Sequence, residues 1–111
     1  MSWKSSDGGS ISTLGELSYS GTAGGGYDVV TAAANEAGLL LRTALIYSGN
    51  VNSHGVILGG SVRILGLETF GSGSPNYVHL ERELLIPAGL PLRLHGFAGA
   101  PTFYITYDLL G

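Results

Sequence analysis

From Tyr27 onward the chain consists of short apolar runs separated by turn residues. The runs recur about every ten residues, a spacing typical of β-sandwiches and barrels. The pattern predicts strands near residues 27–33, 38–48, 54–58, 61–68, 76–86, 90–96 and 102–110. Together these strands predict a single all-β domain, a two-sheet sandwich of the jelly-roll type.

The run at residues 38–48 is apolar on both faces of the predicted strand. Because side chains alternate along a strand, each face receives every second residue. One face would carry Leu39, Leu41, Thr43, Leu45 and Tyr47, and the other Leu40, Arg42, Ala44 and Ile46. We expect such a strand at the centre of a sheet, covered by the second sheet on one side and by an arm or a neighbouring subunit on the other.

The predicted strand at residues 76–86 alternates more cleanly but is interrupted at Arg82. Its inward positions would be Val78, Leu80, Leu84 and Ile86, and its outward positions Tyr77, His79, Glu81 and Glu83. Arg82 falls among the inward positions, which indicates a bulge or a guanidinium group that reaches a subunit boundary. Pro87-Ala88-Gly89 then predicts a tight turn.

Residues 1–26 are polar and rich in glycine and serine, and we predict that they form an extended N-terminal arm before a domain at residues 27–111. The arm ends in Gly24-Gly25-Gly26, which favours a flexible hinge over a phosphate-binding loop because no helix is predicted after it. The alanines of residues 31–38 favour a turn of helix. Asn35 and Gly38 nevertheless make a strand that ends in a hairpin the better interpretation.

Charged residues make up only 12% of the chain, about half the share in an ordinary soluble domain, and Lys4 is its one lysine. Exposed strand edges are normally protected by lysines and other charges. The shortage therefore indicates a chain whose surface is covered by neighbouring molecules.

Charge and composition also exclude several classes of protein. The formal charge of −3 and the scattered arginines leave no positive patch for nucleic acid. The absence of cysteine excludes disulfides and thiolate metal sites. The N-terminus lacks the apolar stretch of a secretory signal, and no apolar run is long enough for a membrane-spanning helix. We expect a protein made in the cytoplasm that does not insert into membranes.

Candidate catalytic and metal-binding residues are few and scattered. His54, His79 and His95 with Glu81 would supply the ligands of a cupin-like metal-dependent enzyme, but the His-x-His spacing of such enzymes is absent. Glu81 and Glu83 are better explained as a solvated strand face than as a glycosidase pair, and no serine lies in a nucleophile elbow. We therefore expect no catalytic residue, no metal and no cofactor.

The aromatic residues raise a second alternative, because a flat amphipathic ring can stack on a sugar or anchor a protein interface. Tyr77, His79, Glu81 and the loop at residues 70–76 could form a shallow site for a surface glycan, as in a carbohydrate-binding adhesin or a receptor-binding module. Trp3 has no local packing partner in the polar arm, so we expect it to dock on a neighbour.

The run Glu83-Leu-Leu-Ile-Pro-Ala-Gly-Leu-Pro-Leu-Arg-Leu, followed by Thr102-Phe-Tyr-Ile-Thr-Tyr-Asp-Leu-Leu, resembles the end of small β-sandwich accessory proteins of tailed-phage virions. Residues 31–38 and the apolar strand after them are similar to a hairpin of the same proteins. The resemblance implies a capsid decoration (cement), neck or tail component. It also implies a symmetric homo-oligomer, often a trimer, with major capsid or other virion proteins as partners.

The leading hypothesis is therefore a non-enzymatic structural protein, located in the virion, that stabilises the particle by burying apolar surface at its contacts. The residues expected at these interfaces are apolar and lie in the arm, in the connection at residues 96–101 or at the C-terminus. They are Trp3, Ile11, Leu14, Leu17, Phe97, Pro101, Leu109 and Leu110.

Overall fold

The computed structural model describes residues 13–49, 52–70 and 76–111. These residues form nine strands and no helix. The strands are β1 (Leu17–Thr22), β2 (Gly25–Val30), β3 (Leu39–Ser48), β4 (Asn52–Gly59), β5 (Val62–Phe70), β6 (Asn76–His79), β7 (Leu84–Ile86), β8 (Leu92–Ala98) and β9 (Thr102–Leu109). The described residues contain no helix that is long and apolar enough to cross a membrane.

The strands form two antiparallel sheets that pack face to face. Sheet A has the order β1-β9-β3-β6, and β7 pairs with the same edge of β3 as β6 does, but with the N-terminal residues Leu39–Leu41 of that strand. Sheet B has the order β2-β8-β4-β5. The prediction of an all-β domain with two sheets is confirmed.

Apolar side chains from both sheets form the core between them. The buried members are Ala23, Val30, Leu39, Leu41, Ala44, Ile46, Ile57, Leu67, Ile86, Leu92, Leu94, Phe103 and Ile105. The alternation of residues 102–110 predicts that Phe103, Ile105, Tyr107 and Leu109 share one face. Phe103 and Ile105 are buried and Tyr107 packs against the same core, whereas Leu109 is exposed. Burial of this apolar surface is the main contribution that favours folding.

A β-bulge in β3 changes which of its residues face the core. The register between β3 and β9 shifts between Leu41 and Thr43. The buried residues on the two sides of the bulge are Leu39, Leu41, Ala44 and Ile46. Thr43, Leu45 and Tyr47 therefore lie on the outer face of sheet A. The predicted alternation is wrong beyond Leu41, because it assumed an unbroken period of two residues.

The predicted strand at residues 76–86 is divided into two short strands. Its second half forms β7, and residues 80–83 lie outside regular structure. Arg82 lies at this break and is exposed, so it occupies neither a bulge nor an inward position. Val78 and Leu80 pack against the core and Ile86 is buried, as predicted, whereas Leu84 is exposed.

Strand β1 lies inside the range predicted as an arm. It pairs with β9 from Leu17 to Thr22, and Tyr19 packs against the core. Gly25 and Gly26 begin β2 instead of forming a hinge. Strand β1 was not predicted because it is rich in serine. Only one face of this edge strand contacts the core, so its exposed positions can be polar. Residues 1–12 of the predicted arm lie outside the described residues.

Three glycines lie side by side across sheet B, since Gly96 pairs with both Gly25 and Gly55. A Cβ atom at Gly96 would overlap the carbonyl oxygen of Ala23, and one at Gly55 would lie 2.6 Å from Cγ of Pro101. Gly96 and Gly55 thus provide the space in which Ala23 and Pro101 pack at one end of the sandwich, whereas a Cβ atom at Gly25 would meet no other group within 4 Å. The amide of Ala23 donates a 3.2 Å hydrogen bond to the carbonyl of Pro101.

At the other end of the sandwich Asn35 joins two loops. Its buried side chain donates from Nδ2 to two carbonyls of the turn at residues 87–90, each at 2.9 Å, and accepts the N–H of Gly38 at 3.0 Å. These bonds satisfy the amide group away from water. The segment at residues 31–38 is therefore neither a helix nor the end of a hairpin. It connects β2 in sheet B to β3 in sheet A, and Asn35 fixes it against the predicted tight turn.

Candidate functional site

The three histidines lie on opposite outer faces of the sandwich. His79, paired with Leu45, lies on the outer face of sheet A. His54 and His95 lie on the outer face of sheet B, where both rings contact that of Phe97, His54 in a stacked and His95 in a tilted arrangement, with centroid distances of 4.6 and 4.1 Å. Within the described ranges, no group of three or more histidine, aspartate or glutamate side chains could hold a metal ion. The cupin-like site is therefore not formed by the residues suggested for it.

Two glutamates weighed as a catalytic pair have separate surroundings. Glu81 is exposed beyond the end of β6. Glu83 lies 3.5 Å from the guanidinium group of Arg42. The alternating pattern that suggested a shared strand face does not hold here, because the chain leaves the sheet between β6 and β7.

The outer face of sheet A carries three exposed tyrosines on neighbouring strands, and we name it the tyrosine face. Tyr104 on β9 lies opposite Leu45 on β3, which in turn lies opposite His79 on β6. In the next row Tyr47 lies opposite Tyr77, whose ring stacks 6.3 Å from that of His79. The tyrosine face therefore brings together residues from three strands that are distant in the sequence.

Hydroxyl groups continue the tyrosine face toward β1. Ser20 lies opposite Tyr104, and Ser18 lies opposite Thr106. The hydroxyls of Thr106 and Thr43 are hydrogen-bonded at 2.7 Å. Since Ser18 and Ser20 are exposed, their hydroxyls are accessible to a bound molecule.

A shallow groove of about 430 Å³ runs across this surface. Leu14, in the segment before β1, forms one wall and is 76% exposed. The other lining residues are Ser18, Tyr19, Ser20, Thr43, Ala44, Leu45, His79, Leu80, Tyr104, Ile105 and Thr106. No aspartate, glutamate, lysine or arginine is among them, so the groove is suited to an uncharged molecule.

Arg42 fixes the segment before β1 across the outer face of sheet A. Its guanidinium group donates to the carbonyl of Thr13 at 3.3 Å and also to the hydroxyl of that residue. The same group lies 3.3 Å from Asp108 and 3.5 Å from Glu83, and the amide of Glu16 donates to Asp108 at 2.7 Å. Because two carboxylates contact the guanidinium group, Arg42 is not a free cation beside the groove.

The outer face of sheet B carries an ion pair and other charged side chains in place of exposed tyrosines. Arg93 donates a 2.6 Å hydrogen bond to Asp28 on the adjacent strand. This hydrogen bond, together with the charge of Arg93, lowers the pKa of the Asp28 carboxyl below its ordinary value. Arg63 and Glu68 are exposed on β5. Charge on this face is therefore mixed and partly paired within the face itself.

Six large apolar side chains are exposed at the end of the sandwich where Asn35 joins the loops, and we name this surface the apolar end. They are Val62, Leu84, Leu85, Leu90, Leu109 and Leu110, with exposed fractions between 39% and 67%. A cavity of about 320 Å³ lies among the first four of them, and no charged residue lines it. The amide of Leu110 donates to the carbonyl of Gly38 at 2.9 Å, which anchors the C-terminal residues there.

The predicted interface residues do not form one surface. Leu109 and Leu110 belong to the apolar end, whereas Phe97 lies between two histidines on the outer face of sheet B. Leu14 lines the groove, and Leu17 begins the edge strand β1.

The remaining predicted interface residues are not exposed parts of the described structure. Pro101 is buried beside Gly55, so it contributes to the packing of its own domain. Trp3 and Ile11 lie outside the described residues. Of the suggested glycan site, Tyr77 and His79 lie on the tyrosine face, and most of the loop lies outside the described residues.

Reasoning from the sequence missed most of the apolar end and the groove. A signal for the apolar end was present in Leu84-Leu85, because two consecutive residues of a strand cannot both point inward. For Tyr104 the signal was its position between Phe103 and Ile105, which requires it to point away from the core. No local sequence pattern indicates the groove, because its lining residues are spread along the chain from Leu14 to Thr106 and meet only in the folded domain.

Comparisons with known proteins yield no assignment. No protein-family model, no curated protein and no solved structure matches the chain. The apolar end and the groove of the tyrosine face are the two surfaces of the described structure that are best suited to binding.

Proposed function

We propose that the protein is a non-enzymatic structural protein of a phage virion. It is a decoration (cement) protein, or a neck or tail accessory protein, that contacts its own copies and the major capsid or other virion proteins. The apolar end is the observation that carries the assembly role. Large contiguous apolar patches on soluble domains mark interaction surfaces, and this patch combines six exposed residues with an uncharged cavity.

The loops of the apolar end are held in place before any partner binds. Asn35 bonds the segment at residues 31–38 to the turn at residues 87–90, and Gly38 bonds the C-terminal residues. A preformed surface loses less conformational entropy on association than a mobile one. This favours a permanent contact surface over a transient one.

The strand order supports assignment of the sandwich to the jelly-roll type. A jelly roll has eight strands in two sheets, and it is a common architecture of viral capsid proteins and lectins. The orders β1-β9-β3-β6 and β2-β8-β4-β5 correspond to that arrangement if β6 and β7 together take the place of one strand. The resemblance of residues 83–94 and 102–110 to virion accessory proteins supports the same location.

Measurement of the oligomeric state tests the assembly role directly. We expect sedimentation of the full chain to show a homo-oligomer, and the resemblance favours a trimer. Replacing Leu85 and Leu110 by serine removes about 3 kcal/mol or more of buried apolar contact, so the oligomer should dissociate at protein concentrations at least about 100-fold higher. Tyr77→Ser is the matched control, since Tyr77 is 63% exposed, against 56% for Leu85, but lies on the tyrosine face.

A monomer at every accessible concentration, or equal dissociation of the control, would contradict a role for the apolar end in self-association.

The virion location has its own test, which is mass spectrometry of purified particles from cells that carry the gene. Absence of the chain from those particles would exclude it. Trp3→Ala and deletion of residues 1–12 address the arm, and unchanged particle binding by both variants would exclude a gripping role for Trp3 and Ile11.

A further inference from the structure

The groove of the tyrosine face has a chemistry different from that of the apolar end. Six hydroxyl-bearing side chains line it, from Ser18, Tyr19, Ser20, Thr43, Tyr104 and Thr106. Of these, the threonine hydroxyls bond to one another, and Thr106 also accepts the amide of Gly15 at 3.0 Å. The serine hydroxyls and the phenol of Tyr104 remain on the exposed side. A ligand in the groove would therefore meet both donors and acceptors.

An aromatic surface lies beside these hydroxyls. Tyr104 is 50% exposed and borders Leu45, and His79 follows in the same row. A flat ring with a polar tip can pack against the C–H face of a sugar while its hydroxyl bonds to the sugar hydroxyls. The volume of about 430 Å³ lies within the range of small-molecule sites.

The lack of aspartate, glutamate, lysine and arginine among the described residues of the groove favours neutral sugars over acidic ones. His79 is the one imidazole among these lining residues, and the nearby Arg42 is engaged by Asp108 and Glu83. An acidic sugar would lose its hydration without gaining a cation as partner. A neutral sugar would exchange its hydrogen bonds to water for bonds to the serine, threonine and tyrosine hydroxyls.

We propose that the groove is a binding site for a neutral oligosaccharide, with Tyr104 as the stacking platform and Ser18 and Ser20 as hydrogen-bonding residues. The site is separate from the apolar end, so it does not depend on the oligomer. It also differs from a site centred on Tyr77 and the loop at residues 70–76. The two sites share His79, but the stacking and hydrogen-bonding residues proposed here come from β9 and β1.

The test is titration of the full chain with a panel of neutral oligosaccharides, namely maltopentaose, cellopentaose, mannopentaose and N-acetylchitopentaose, followed by NMR of the backbone amides. A sulfated oligosaccharide forms the acidic arm of the experiment. We expect saturable binding of at least one neutral sugar, with shifts concentrated at Ser18, Ser20, Thr43 and Tyr104. The sulfated sugar should not compete.

Variants locate the site. Tyr104→Ala should weaken binding about tenfold through loss of ring stacking, whereas Tyr104→Phe should retain most of the affinity. Ser20→Ala should weaken it about threefold or more. Phe97→Ala on the outer face of sheet B is the matched control and should bind as the wild type does. Thermal unfolding of each variant verifies that it is folded.

Three outcomes would overturn the assignment. They are no binding of any neutral sugar of the panel at millimolar concentration, affinity that Tyr104→Ala leaves unchanged, and preference for the sulfated sugar. Protection of the groove amides only at concentrations where the protein associates would instead assign the groove to a second copy of the chain. None of these results bears on whether Leu85 and Leu110 mediate self-association, so the two proposals can fail separately.

Discussion

The outer faces of the two antiparallel sheets carry different kinds of side chain. Sheet A presents Tyr47, Tyr77 and Tyr104 beside a groove without charged lining residues. Sheet B presents an ion pair between Asp28 and Arg93 and the histidine rings around Phe97. On sheet B, Asp28, Arg93 and Phe97 find partners within that face, whereas Tyr104 of sheet A is half-exposed beside an uncharged groove.

This difference refines what a low content of charge means. The shortage predicts covered surface, but it does not say which surface is covered. The few charged residues of sheet A are gathered around Arg42 at one end of the groove, so most of that face is free of charge. The position of the charges, and not their number alone, therefore distinguishes the outer face of sheet A from that of sheet B.

The largest expected effect is a loss of stability when a glycine on the inner face of sheet B is replaced, compared with a glycine on its outer face. Gly96→Ala places a Cβ atom on the backbone of Ala23, so we expect a loss of about 3 kcal/mol or more in the free energy of unfolding. Gly66→Ala is the matched control, because its Cβ atom would lie 3.5 Å from Val56 on the outer face. The control should be neutral or more stable by about 0.5 kcal/mol. Urea denaturation measures both, and equal stability of the two variants would contradict the packing described for the glycine row.

A smaller effect compares the two outer faces directly. Phe97→Ala removes two ring contacts, so we expect a loss of about 1 to 2 kcal/mol. Tyr104→Ala should cost less than about 1 kcal/mol, because Tyr104 is half-exposed and stacks on no aromatic ring among the described residues. Denaturation of both variants in the absence of ligand tests the comparison. A Tyr104 variant that is as destabilised as the Phe97 variant would mean that both faces are built for stability.

The smallest effect concerns the ion pair of sheet B and depends on pH. The hydrogen bond from Arg93 lowers the pKa of Asp28 from its ordinary value, so the pair stabilises the fold above the unfolded-state pKa, and this contribution is lost as pH falls through the folded-state pKa. Asp28→Asn should therefore be slightly less stable than the wild type at pH 7 and equal to it at about pH 2. Denaturation at the two pH values, repeated in high salt, measures the difference. A difference that persisted at low pH would exclude ionisation of Asp28 as its cause.

Much of the strand pattern could be predicted from local sequence. Alternation over residues 102–110 located β9 and its inward Phe103 and Ile105, and the interruption at Arg82 coincides with the break between β6 and β7. Both features can be recognised from neighbouring residues, because the two-residue alternation of a strand is a local property of the sequence. Strand β1 could not be found in this way, because its partner β9 lies more than 80 residues further along the chain.

By itself, the sequence determined an all-β domain with little charge, since composition and the two-residue period are properties of the chain alone. The tertiary structure decided which face each residue of β3 occupies, because the bulge after Leu41 exists only in register with β9. It also decided that Pro101 is buried, that Asn35 joins two loops, and that Leu14, Tyr104 and His79 meet at one groove. The physical reason is that antiparallel pairing between distant strands sets these contacts, and the energy of each contact depends on residues that no local pattern brings together.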